Sequence, residues 1–164
     1  MLFHSVMFWL HLLAAIVVLG GYVFLSLFWL PVLLRATEDV RVQVRCMGQT
    51  LRRFFTTVVL ALTVQILTGG LYLLPPVYRA FGAGDEMALA SFHRLLLIKL
   101  AAVFLVLLLV PMQLFGMAFR LTRMDAGIYP YDPQVVARVS QRMQMVSYSI
   151  IVLLTLVVLI STRL

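Results

Sequence analysis

Between Met1 and Leu34 the chain carries no charged side chain, and its only titratable groups are His4, His11 and Tyr22. A polar stretch then runs from Arg35 to Arg53, with five arginines, Glu38 and Asp39. The pattern repeats. Phe54 to Leu74 is apolar and is stopped by Pro75-Pro76; residues 75–94 are mixed, with Gly82, Gly84, Asp85 and Glu86. Leu95 to Phe119 is apolar except for Lys99, with a kink expected at Pro111. A second basic stretch, 120–144, contains four arginines and the turn-rich run Tyr129-Pro130-Tyr131-Asp132-Pro133. A last apolar run begins at Met145 and ends near Ser161.

Crossing a bilayer takes roughly 20 apolar residues in a helix. Each run has about that length, and none alternates apolar and polar positions as a barrel strand would. Lipid offers backbone groups no hydrogen-bond partner, so each run must satisfy its own bonds as a helix. The sequence therefore predicts a single all-α integral membrane domain over 1–164. It has four transmembrane helices, at about 6–34, 54–74, 95–119 and 145–161. The short connections between them favour an up-down-up-down bundle. The first run is too long for a signal-peptide core and no basic residue precedes it, so it reads as a span.

Composition agrees. Hydrophobic residues make up 63% of the chain and charged residues 12%, against about 25% charged in a soluble domain. The net charge of +7 does not mark nucleic-acid binding, because the arginines sit between apolar runs and not along one polar face. The stretches 35–53 and 120–144 hold nine of the thirteen basic residues; the other four are Arg79, Arg94, Lys99 and Arg163. By the positive-inside rule the two basic stretches lie in the cytoplasm, which leaves both termini and 75–94 outside. The lone Cys46 forms no intrachain disulfide and carries no function.

The candidate chemistry lies at the outer end. Lys99 is the only lysine and sits inside an apolar run, where an ammonium costs roughly 3 kcal/mol on insertion scales. It either snorkels to the outer headgroups or faces an anionic group such as a haem propionate or a carboxylate. His11 lies at similar depth, as a ligand or as a donor to a neighbouring helix. Met1, His4, Met7 and His11 share one helical face at 100° per residue. Thioether and imidazole suit copper, especially Cu(I). With His93 at the start of the third run, His4, Met7, His11 and His93 make a candidate metal site. His11, His93 and Lys99 make a candidate haem site. Gln65 and Gln113 are read as interhelical hydrogen-bonding groups, and Thr68, Gly69 and Gly70 as small residues that let helices approach. All six acidic residues fall outside the runs, which argues against a carboxylate-relay transporter. No phosphate loop, nucleophile–histidine–acid set or CxxC is present, and no catalytic residue is assigned.

Leu51-Arg52-Arg53-Phe54-Phe55, Leu67-Thr68-Gly69-Gly70 and Phe92-His93-Arg94-Leu95-Leu96-Leu97-Ile98-Lys99-Leu100 resemble the copper resistance protein D family over roughly Leu51 to Arg123. The resemblance implies copper handling, by binding or transport, at the bacterial inner membrane. Phe92-His93 stands where that family has tyrosine–glycine. Trp9-Leu10-His11 and Lys99 are similar to the bacterial membrane protoporphyrinogen oxidase family, which binds haem b. That likeness implies a haem-dependent membrane oxidoreductase or electron-transfer subunit, although Leu97 replaces one expected histidine. Expected partners are the lipid bilayer and either further membrane subunits, to which this chain would be a structural component, or a second copy.

The topology is directly testable. In intact cells an impermeant thiol reagent should leave Cys46 unlabelled. It should label a cysteine placed at Gly84→Cys in a Cys46→Ser background. Labelling of both sites from the same side would reject the arrangement.

Overall fold

A computed structural model describes residues 2–73 and 86–162. Side-chain placement is described for these except at positions 2, 4, 71–73, 86–89 and 91. The described residues are helical apart from short turns and contain no strand. Four helices are long and apolar enough to cross a membrane: Ser5–Ala36, Val40–Gly70, Phe92–Asp125 and Pro133–Ser161, hereafter the first to fourth spans. This is the architecture of a multi-pass membrane protein.

The helices run well past the apolar runs. The stretch 35–53, expected as a loop, is helical from Val40 onward. Only residues 37–39 break it, and Asp39 starts the next helix by accepting a hydrogen bond from the Arg41 amide at 2.9 Å. In 120–144, helix continues to Asp125 and resumes at Pro133. Asp132 caps that start, accepting from the amides of Gln134 at 2.8 Å and Val135 at 3.4 Å. Pro133 fits the first helical position, where its missing N–H leaves no bond unmade. The third helix begins at Glu86, inside the stretch expected as a loop. Charged residues were taken as loop markers, but a helix that leaves the bilayer simply carries them into water.

Between Asp125 and Pro133 the chain turns through Gly127, at φ 73°. The Ile128 amide donates to the Arg123 carbonyl at 2.9 Å and the Gly127 amide to the Met124 carbonyl at 3.0 Å. This paired closure needs a left-handed residue at Gly127.

Three spans contain a π-helical stretch: Phe24–Trp29, Thr68–Leu73 and Met112–Ala118. Pro31 follows the first and Pro111 precedes the third. A proline removes one backbone donor and crowds the preceding turn, and wider turns absorb the misfit. At Pro111 the helix therefore continues, with a change of winding in place of a break.

The core is a chain of interlocking contacts. Tyr22, fully buried, meets Phe54 edge-on at 5.2 Å, next to Gly21, whose missing side chain leaves room for the Phe54 ring. Gln113, also fully buried, donates through Nε2 to the Met143 carbonyl at 3.0 Å and to Ser147 Oγ at 2.7 Å. Ser140 Oγ donates to Met47 Sδ at 3.7 Å, and Gln144 Nε2 reaches the Ser26 carbonyl at 3.5 Å. The first span thus touches the second and fourth, and the third packs along the fourth. The second meets the third where Gly48 faces Asp125. Large apolar side chains such as Trp9, Leu60, Phe104, Phe115 and Val152 point outward, as lipid solvent requires.

Replacing Gly127 with alanine places a Cβ in a left-handed turn, a cost of about 1–2 kcal/mol. Thermal unfolding of the detergent-purified protein should show Gly127→Ala destabilised by about that amount, and Gly127→Asn by less.

Candidate functional site

The expected site residues divide into those the fold brings together and those it does not. His11 lies in the first span, nine positions after the helix start (11 − 2). Its Nδ1 is 2.9 Å from Thr68 Oγ1 in the second span. The Thr68 hydroxyl has one hydrogen and points it at the Val64 carbonyl, 2.7 Å away, with the Gln65 carbonyl at 3.3 Å. Thr68 is therefore the acceptor, and His11 Nδ1–H the donor. That assignment leaves the proton on Nδ1 and the lone pair on Nε2. A histidine that ligates a metal through Nε2 has this arrangement, with Nδ1 oriented by a second group.

Gly69 completes the seat. A Cβ built at Gly69 would stand 2.9 Å from His11 Cε1 and 3.4 Å from Nδ1. The imidazole thus lies against bare backbone, and only glycine admits it. Both Thr68 and Gly69 belong to a π-helical stretch, a winding that recurs at functional sites. One turn earlier, the buried side-chain oxygen Gln65 Oε1 has no hydrogen-bond partner among the described residues.

Lys99 is half-buried in the third span and close enough for its charge to act on the His11 ring. The helix starts at Glu86, so Lys99 is thirteen positions in (99 − 86), roughly 20 Å along the axis. Its neighbours Leu97, Ile98 and Leu100 are exposed to lipid.

The remaining candidates are placed differently. Met7 is half-buried on the same helix as His11. His4 is on that helix too, but its side chain, like all of Met1, lies outside the described residues. His93 is half-exposed, with its ring edge-on to Phe92 at 6.0 Å, and none of the described contacts of His11 involves it. Among the described residues no group of three or more His, Cys, Asp or Glu side chains could hold a metal ion. That absence covers neither methionine nor the His4 side chain, so it does not bear on the four-residue set His4, Met7, His11 and His93.

No family model, curated protein or solved structure matches the chain. Its chemistry must be argued from these residues.

What sequence reading missed is the partnership. Thr68 and Gly69 were read as packing residues, yet together they set the tautomer and plane of His11. The Leu-Thr-Gly-Gly run at the end of an apolar stretch was the available signal; which imidazole it would meet depends on how the first two helices dock.

The seat makes a quantitative prediction. Gly69→Ala overpacks the contact and should destabilise the protein by about 1–3 kcal/mol. In a His11→Ala background the same substitution should cost markedly less. A double-mutant cycle measured by thermal unfolding should return at least about 1 kcal/mol of coupling.

Proposed function

We propose that this chain is a bacterial inner-membrane protein that binds haem b through His11, at the end of the bundle remote from the arginine-rich helix ends. The observation that carries the reading is the oriented imidazole: Nδ1 donating to Thr68, the lone pair left on Nε2, and Lys99 close enough for its charge to act on the ring. His11 Nε2 would hold the iron, and Lys99 would pair with a propionate. Haem supplies one-electron redox chemistry when bound. The residues of this chain would orient the ligand through Thr68 and balance the cofactor's negative charge through Lys99.

Charge separates this reading from a copper site. A lysine ammonium near the ligand resists a second cation and attracts an anion. Haem b, with two carboxylates, is the better electrostatic match. The resemblance of Trp9-Leu10-His11 and Lys99 to the membrane protoporphyrinogen oxidase family supports it, and makes an oxidoreductase or an electron-transfer subunit the class of activity. A copper-binding or copper-transporting role, in line with the resemblance to the copper resistance protein D family, is the second reading. It is favoured by one observation: His4, Met7 and His11 follow one another on a single helical face.

The membrane arrangement proposed with it is up-down-up-down, with both termini outside and the arginines of 35–53 and 120–144 at the cytoplasmic face. The pairings His11–Thr68, Tyr22–Phe54 and Gln113–Ser147 support it, because chain numbers rise in one span as they fall in its neighbour.

Detergent-purified protein from cells supplied with haem should show a Soret band and a reducible α-band. His11→Ala should abolish both. Thr68→Val should weaken haem binding by about 10–100-fold, the usual effect of losing a group that orients a ligand. Protein without these bands that instead carries stoichiometric copper, lost in His11→Ala, would reverse the ranking.

A further inference from the structure

A second feature lies at the opposite end of the bundle. Where the third span leaves its apolar stretch and the fourth begins, an open cleft of about 500 Å³ is lined by Arg120, Arg123 and Arg142, with Tyr129, Phe115 and Phe119. Three guanidinium groups thus border one concavity, and among the described residues no carboxylate pairs with them. Arg123 is held in place: its guanidinium lies over the Phe119 ring at 4.4 Å, and Nη1 donates to the Tyr129 hydroxyl at 3.5 Å. The other wall is apolar and faces outward, with Phe115 71% and Met112 51% exposed.

Like charges gathered without a counter-ion repel, and an anion bound among them relieves that repulsion. Guanidinium groups are matched to phosphate, which they bind through paired N–H donors. The cleft opens along its apolar, outward-facing wall, and its charged rim lies where the third span passes from apolar to basic residues. A soluble anion would use the arginines and leave the exposed Phe115 and Met112 wall uncovered. A molecule with a phosphate at one end and acyl chains at the other covers both.

We propose that this cleft is a binding site for one anionic glycerophospholipid. The phosphate is held by Arg120, Arg123 and Arg142, and an acyl chain lies along Met112 and Phe115. The site is independent of any cofactor at His11. It gives the polar junction of the third and fourth spans a fixed lipid partner, which continues the docking made deeper in the membrane by Gln113.

Native mass spectrometry of the full chain in detergent provides the test, with phosphatidylglycerol, phosphatidylcholine and inorganic phosphate added separately. Phosphatidylglycerol should bind at one equivalent, more tightly than phosphatidylcholine. Inorganic phosphate should neither bind nor displace it at equal concentration. Each basic side chain near an anionic lipid contributes about a fivefold factor in affinity. The double variant Arg120→Gln/Arg142→Gln should therefore bind phosphatidylglycerol roughly thirtyfold more weakly. Arg41→Gln/Arg45→Gln, which removes the same charge from the start of the second helix, should change it by less than about threefold. Equal loss in both double variants would show only a diffuse surface charge and overturn the proposal. Equal binding of both phospholipids, or displacement by inorganic phosphate, would overturn it as well. Circular dichroism and thermal unfolding of each variant separate a lost site from a lost fold.

Discussion

Lipid cannot hydrogen-bond. Every backbone polar atom that enters the bilayer must find a partner inside the protein, and that constraint governs the secondary structure. Backbone groups are satisfied by helix. Several serine and threonine hydroxyls inside the spans turn back onto their own helices, as Ser26 does onto the Tyr22 carbonyl and Thr63 onto Val59. The few polar groups that reach across helices then act as fixed points. Gln113 ties the third span to the fourth, Gln144 the fourth to the first, and His11 the first to the second. Apolar contacts alone would tolerate sliding, because lipid tails compete for them on nearly equal terms. Hydrogen bonds with defined donors and acceptors do not.

The π-helical stretches belong to the same account. They occur where the regular ladder is disturbed, beside Pro31 and Pro111 and at Gly69-Gly70. A wider turn shifts the register of all side chains beyond it, so the faces before and after such a stretch need not be continuous. In the second span the change comes at Thr68, where His11 docks. Glycine, threonine and altered winding coincide there, and together they let an imidazole approach the backbone through Cε1 while its Nδ1–H is taken.

The two ends of the bundle present opposite chemistry. One holds a single oriented imidazole with a lysine beside it; the other gathers guanidinium groups on the ends of helices that leave the membrane. In both places a cation lies near exposed apolar side chains. His93 lies edge-on to Phe92, and Lys99 is close enough for its charge to act on the His11 ring.

The number of spans, their helical nature and the segregation of arginines were decided by the sequence alone, because they follow from local hydrophobicity and from the backbone's need for internal bonds. The interhelical role of Gln113 was legible for the same reason. Helix ends were not. Asp39, Asp132 and Gly127 set them through caps and a left-handed turn, which weigh more in water than a run of arginines does. The identity of the group that orients His11 and the gathering of Arg120, Arg123 and Arg142 around one cleft belonged to the tertiary structure. Each depends on residues far apart in sequence and on the rotation of one helix against another, and hydropathy carries no information about that angle.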